Sequence, residues 1–357
     1  LAPVATLLFS ASILLAGQGL QATLLPVRAG LENFSTFSIG TMGAAYFFGF
    51  TVGCLKGGDL VRRVGHIRVF LAMSAMASAA PLVHGLVVGP IAWDMLRFVT
   101  GFCLAALYIV IESWLNERST NANRGVIFST YAMITLTMMA AGQMMTLLYD
   151  PIGLQLFVIA SILFSIGAVP IALSESPSPA QPASTKTNIP DLFRVSPSGT
   201  VGCFAVGLAN GAFWGLSPVY AASVGDAVTM AAWFMAAAVI GGAILQWPLG
   251  LLSDAIGRRK VLVAVSLLAA GAGIALAIML PQLGKTSAVL LGGLWGAFAF
   301  PMYSIAVAYA NDYADQNEYV KVSAGLLLTY GVGAIIGPFA ASALMTLQGA
   351  EGLFVFT

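Results

Sequence analysis

The sequence predicts an all-α integral membrane protein built as two pseudo-symmetric six-helix bundles. Three observations predict it. Only 8% of residues are charged and 59% are hydrophobic, against roughly 25% and 45–50% in soluble domains. Eleven apolar runs approach the length of about 20 residues that crosses a bilayer, and a twelfth begins at Gly352 and is truncated at Thr357. Finally, a polar loop occurs twice, 192 residues apart, as Gly250-Leu251-Leu252-Ser253-Asp254-Ala255-Ile256-Gly257-Arg258-Arg259-Lys260 and as Gly58-Asp59-Leu60-Val61-Arg62-Arg63-Val64-Gly65-His66-Ile67-Arg68. The same offset pairs Gln18-Gly19 with Asn210-Gly211 and Pro26-Val27 with Pro218-Val219. A chain that repeats loops and helix ends at one spacing is a duplicated structure.

The first bundle spans 1–173, with helices expected near 3–26, 36–56, 69–89, 91–113, 126–148 and 152–172. The first run has no basic segment before it and many spans after it. It therefore reads as a helix of the mature chain, not a cleaved signal. A linker, 174–197, is rich in Ser, Pro, Thr and Ala and carries Lys186, Asp191 and Arg194. It cannot bury enough apolar surface to fold alone. A short amphipathic piece, Asp191–Val195, lies near its end. The second bundle spans 198–357, with helices near 198–222, 228–252, 260–280, 286–309 and 321–346. The natural chain is expected to extend beyond both ends of this sequence.

Basic residues set the orientation. With the amino terminus in the cytoplasm, the inner loops and helix ends hold Lys56, Arg62, Arg63, Arg68, Arg118, Arg124, Lys186, Arg194, Arg258, Arg259, Lys260 and Lys321, while the outer loops hold Arg28 and Lys285. Cys54, Cys103 and Cys203 fall inside apolar runs without CxxC spacing. They read as small buried hydrophobes, so no metal site or disulfide framework is indicated. The net charge of +1 gives no case for nucleic acid. No Walker loop, catalytic triad or HExxH occurs, so no enzyme and no cofactor is expected.

The repeated loop resembles the signature that follows the second and eighth helices of the major facilitator superfamily, Gly-x-Leu-x-Asp-x-x-Gly-Arg-Arg/Lys-Lys. The second copy fits at every fixed position. In the first copy Arg62 stands where the acid belongs, and His66 and Ile67 stand where bases belong. Thr100-Gly101-Phe102, Glu112 to Arg118, and Arg63 to Arg68 resemble the YcaD-like branch of that superfamily. The resemblance implies conformational-switch loops at Gly58, Arg62 and Gly65 and at Gly250, Asp254, Gly257 and Arg258. It also implies a central cavity lined by helices one, four, seven and ten. Arg97 and Gly101 resemble the fourth-helix Arg-x-x-x-Gly motif, whose arginine is associated with proton or substrate handling.

Three charges lie well inside the expected spans, Asp94, Arg97 and Glu112, all on helix four. With Gly101 and Tyr108 they occupy one face at i, i+3, i+7, i+14 and i+18. A charge at mid-bilayer costs roughly 2.5–3.5 kcal/mol on insertion scales, so this face should meet a cavity or a partner. These three are the proton-coupling candidates. For Arg97 the alternative is outward snorkelling beside Asp94; for Glu112 it is pairing with rim bases. At an offset of 195, Gly101, Tyr108 and Asn116 meet Gly296, Tyr303 and Asn311, whereas Arg97 and Glu112 meet Gly292 and Val307. The second half thus lacks the charge of the first.

Gln18, Gln21, Tyr108, Asn210, Trp214 and Tyr303 are the expected cavity residues. Ser217 continues the Asn210–Trp214 stripe, and Tyr131, Gln143 and Tyr330 add polar groups on helices five and eleven. Amides and hydroxyls can instead join helices. Gly333 to Pro338 lets helix eleven approach a neighbour and bend, while helix five has Ala140-Ala141-Gly142-Gln143. In the family a Gly-Pro at that place is typical of drug/proton antiporters.

The expected function is secondary active transport of a small polar or amphiphilic solute across the bacterial inner membrane, by alternating access and coupled to protons. The alternatives are efflux of hydrophobic drugs and a non-transporting scaffold or assembly factor. The expected partners are a small-molecule substrate, protons and the lipid bilayer, with the protein acting as a monomer.

Overall fold

Backbone groups in lipid must find partners within their own segment, so long apolar runs fold as helices. A computed structural model describes residues 4–120, 123–173, 189–279, 284–314 and 319–357. Its first-half helices are α1 (Ala5–Leu31), α2 (Thr36–Val64), α3 (His66–Leu86), α4 (Pro90–Glu117), α5 (Arg124–Met144, extended by a 3-10 turn Met145–Leu147) and α6 (Gln155–Ala172). A short α7 (Ile189–Val195) follows. The second half holds α8 (Pro197–Ala222), α9 (Ala227–Ile256), α10 (Arg258–Met279), α11 (Lys285–Ala299), α12 (Pro301–Asn311), α13 (Tyr319–Gln348) and α14 (Gly352–Phe356). Among the described residues, 11 stretches are long and apolar enough to span a membrane, α11 and α12 together forming one of them. Most of the expected linker, residues 174–188, lies outside the described residues.

Two compact units emerge, Leu1–Arg28 with Phe48–Ser184, and Ala29–Phe47 with Thr185–Thr357. In the first unit α3 packs along both α4 and α6, around Phe70, Phe157, Phe164 and Trp93. Arg28, buried at the end of α1, donates from Nη1 to the Pro151 carbonyl at 2.8 Å. The second unit includes the first half of α2, where Phe37 meets Phe339 at 6.2 Å between ring centroids. Its core is a run of aromatic contacts. Phe213 stacks on Trp295 (4.5 Å, 12°) and lies against Phe234 and Phe300, while Tyr220 and Trp295 both meet Phe354. α7 docks on this unit through Leu192, which joins Cys203, Ala306, Ala310, Val322 and Leu326.

The duplication is visible atom by atom. A Cβ built on Gly19 would strike the Met139 carbonyl, and one on Gly142 would strike the Ala16 carbonyl. Adding 192 to the α1 residues and 195 to the α5 residues gives Gly211 against Ala334 and Gly337 against Leu208, which make the same two contacts between α8 and α13. Gly49 against Phe98 repeats likewise as Gly241 against Gly293. These glycines set how closely the helices approach.

The repeated loops are shorter than their sequence suggests. Gly58 and Gly250 are helical, within α2 and α9. The chain turns at a single residue in each copy, Gly65 (φ 88°) and Gly257 (φ 101°), in a region that glycine enters without steric cost. The tenth span, expected as one helix, is one membrane-capable stretch, Lys285–Asn311; Phe300 keeps helical backbone (φ −70°, ψ −39°), and only the hydrogen bond that Pro301 cannot donate separates α11 from α12. Two helices that start in the second unit carry different caps. Ser35 accepts from the Ser38 N–H ahead of α2 (3.1 Å), and Asp226 accepts from the Thr229 N–H at the start of α9 (2.9 Å).

Candidate functional site

The first unit places polar groups of α1 beside α4. The Tyr108 hydroxyl donates to Gln18 Oε1 at 2.9 Å. Both residues border a small open cleft of about 10 Å³, room for roughly one water molecule, whose remaining walls are Leu14 and Leu15 from α1 and Leu104, Leu107 and Ile111 from α4. The tyrosine proton is spent on the glutamine, so aliphatic side chains make up the rest of the wall. Gln21, one turn further along α1, is 1% exposed, and neither amide atom has a hydrogen-bond partner among the described residues. Burying an unpaired amide costs about 1–3 kcal/mol.

The charges predicted on α4 fall at its two ends. Asp94 and Arg97 lie half-buried in its first turns. Arg97 acts electrostatically on His84, which the sequence reading passed over. His84 is fully buried on α3; its Nδ1 meets the Ala80 carbonyl at 2.7 Å and its ring lies edge-on to Trp93 at 5.5 Å. Glu112 is exposed near the opposite end of α4 and acts on Cys54 of α2 and Tyr131 of α5. The three candidate charges therefore form two groups, one with His84 and one with Cys54 and Tyr131. Sequence spacing along α4 had separated Asp94 from Glu112. Partners on α2, α3 and α5 could only come from packing.

In the second unit Asn210 is 4% exposed on α8, within hydrogen-bonding reach of Tyr330 on α13. Tyr330 packs on Tyr303 of α12 (4.9 Å). Trp214 stacks on Phe300 (5.5 Å, 11°), so it belongs to the aromatic core. Ser217 is fully buried.

The switch loops differ between the units. Arg258 bridges two acids, with Nη2 at 3.2 Å from Asp254 and Nε at 2.8 Å from Asp312, just past α12. In the first copy Arg62 pairs with Asp59, three residues earlier. His66 places Nε2 at 3.0 Å from Ser113 Oγ on α4. Asp312 was not singled out from the sequence, although the signal was present: Asn116-Glu117 and Asn311-Asp312 align at the offset of 195.

Comparison with known proteins follows this geometry. The sequence profile of the Major Facilitator Superfamily matches residues 199–357. Over 358 residues the chain is 28% identical to the MFS-type transporter YcaD of Escherichia fergusonii, covering 99% of this chain and 91% of that one. The YcaD of Salmonella typhimurium is 29% identical with the same coverage. The chain resembles a major facilitator superfamily transporter of the YcaD type. Among solved structures, the nucleoside transporter NupG superimposes with a TM-score of 0.81 at 13% identity, covering 98% of this chain and 94% of that one. An inward-facing, occupied bacterial homologue of the human lysosomal transporter Spinster gives 0.76 at 14%, covering 97% and 82%. At that identity the two structures carry the fold alone. The sequence likenesses are to transporters, and the 11 membrane-capable stretches fit a multi-pass membrane protein.

Proposed function

We propose that this protein moves a small polar or amphiphilic solute by alternating access, driven by protons, with its amino terminus in the cytoplasm. The observation that carries the reading is the Gln18–Tyr108 hydrogen bond at the edge of the α1–α4 pocket. An amide and a phenol at the edge of an aliphatic wall suit a neutral solute with one hydrogen-bonding edge and an apolar body. The same aliphatic wall favours, as a second reading, export of hydrophobic compounds. Asp94 and Arg97 supply the coupling candidates at one end of α4, and Glu112 at the other. A carboxylate in a cavity loads and releases protons once desolvation moves its titration toward neutrality. Arginine holds such a group through paired donors that lysine lacks. The low identity to NupG gives no ground for assigning nucleosides to this chain.

The test starts with a thermal-shift screen of metabolites and drugs on the purified protein, followed by transport of the hits in proteoliposomes. Leu107→Phe, which fills the pocket, is expected to weaken binding of a hit about tenfold. Asp94→Asn is expected to abolish gradient-driven transport and keep substrate exchange. Unchanged binding in Leu107→Phe would remove the pocket from the site. Wild-type gradient-driven transport in Asp94→Asn, Arg97→Lys and Glu112→Gln would remove proton coupling through α4.

A further inference from the structure

The residue after each turn glycine opens the next helix. In the second half it is Arg258, which has no neutral form at any physiological pH and is held by Asp254 and Asp312. In the first half the same place, 192 residues earlier, is His66. His66 is 1% exposed, with Nε2 at 3.0 Å from Ser113 Oγ and its ring 6.1 Å from Trp114. Glu117, one turn beyond Ser113, acts on the ring electrostatically and stands where Asp312 stands in the second half. The other acid is lost, since Arg62 replaces the counterpart of Asp254. The first half therefore keeps the position of the bridge, with one carboxylate instead of two and a base that titrates.

We propose that His66 is a proton-binding site, and that its protonation exchanges the Ser113 contact for an ion pair with Glu117 that matches the permanent Arg258–Asp312 pair. The start of α3 would then carry an ionic tie to the end of α4 only when His66 is charged. An imidazole is the side chain whose charge changes between about pH 5 and 8. Burial, which disfavours any charged form, acts first on the ring, and the surrounding charges act on top of it. Glu117 favours the charged ring. Arg62 and Arg63 at the end of α2, Arg68 on α3 and Arg118 after α4 oppose it, although Arg62 is engaged by Asp59. α6, packed along α3, contributes no ionisable side chain between Gln155 and Ala172. The balance makes the first-half tie responsive to local pH, while the Arg258 bridge of the second half holds a base that does not titrate. None of this depends on what is transported.

The Trp114 contact supplies the readout, because a protonated imidazole quenches a neighbouring indole. Tryptophan emission of the whole purified protein is recorded from pH 8 to 5, with and without Trp114→Phe, and the difference isolates Trp114. The expected result is a single quenching titration that is absent in His66→Gln and that moves down by about one pH unit in Glu117→Gln. His66→Arg restores the residue of the second half and keeps a buried base, so it serves if His66→Gln fails to fold. It should give emission that does not change with pH. A flat difference signal in the wild type, or a titration that persists in His66→Arg, would overturn the proposal. So would a midpoint unmoved by Glu117→Gln.

Discussion

The two halves share their helix contacts and differ in what fills them. α1 against α5 and α8 against α13 meet through glycines at equivalent places, striking equivalent carbonyls. Yet Phe213, stacked among Trp295, Phe234 and Phe300, has as its counterpart Gln21, an amide with no partner among the described residues. Asp94, Arg97 and Glu112 likewise meet Val289, Gly292 and Val307 at the offset of 195. Backbone approach is thus conserved between the copies, while side-chain chemistry has separated. One half is built as an aromatic core, and the other keeps polar and titratable groups in the same frame. Packing geometry constrains the small residues, and whatever those residues do not fix is open to function.

The strongest way to break this comparison is to treat its two poles alike. Phe213→Ala should cost about 3–5 kcal/mol, the lost transfer free energy of the ring plus the cavity it leaves. Gln21→Leu should do the opposite and stabilise by about 1–3 kcal/mol, because it removes an unpaired buried amide. Thermal melts in one detergent decide both. A destabilised Gln21→Leu would mean that the amide has a partner in the folded protein, and the contrast between the halves would shrink.

A second test asks whether the shared frame is as equal as it looks. Gly142→Val and Gly337→Val each push a side chain onto the carbonyl of a neighbouring helix, Ala16 or Leu208. Both should cost about 1–3 kcal/mol, the usual penalty for overpacking, and by similar amounts. Gly58→Ala and Gly250→Ala, where a Cβ would meet nothing within 4 Å, should be neutral to slightly stabilising by about 0.5–1 kcal/mol, since glycine weakens a helix interior. A large difference between the Gly142 and Gly337 variants in melting or folded yield would show that one pair alone sets its helix spacing.

The smallest effect concerns the caps. Asp226 is held below the usual carboxylate range by the Thr229 hydroxyl and N–H. Its folded value is depressed, so its stabilisation is present above the unfolded value of about 3.9 and is lost as pH falls through the folded one. Ser35, the cap of α2, carries no charge. Asp226→Ser should flatten the acid limb of the melting profile below about pH 4 and cost about 0.3–1 kcal/mol at neutral pH, the worth of a charge at a helix start. An unchanged acid limb would remove Asp226 from the pH response.

Much of this was legible before any coordinates. Apolar runs placed the eleven spans, and Gly65 and Gly257 marked the turns because no other residue adopts their backbone so readily. Helix spacing put Tyr108 on the face of α4 that meets Gln18. What escaped the sequence depends on contacts between distant segments. The aromatic core draws Phe213, Phe234, Trp295 and Phe354 from four helices, with no spacing to reveal it. His84 gained significance only when α3 was laid against α4. Gly58 and Gly250 looked like loop residues because the motif around them is polar, but both helices run on to the second glycine. The short α7 was half visible as an amphipathic piece, and its burial through Leu192 comes from nearby Cys203 and from residues more than a hundred positions away, Ala306 to Leu326.

The tenth span has a missing rung that its twin α4 does not have. Pro301 cannot donate to the Ala297 carbonyl four residues back, so the ladder has a gap where α11 meets α12, while α4 runs from Pro90 to Glu117 with no proline after its first residue. A helix bends most easily where such a rung is lost. A bend there would swing α12, and the Asp312 end of the Arg258 bridge with it, and leave α11 in place. α4 has no such point between Ser113 and Arg97 and would tilt as one piece.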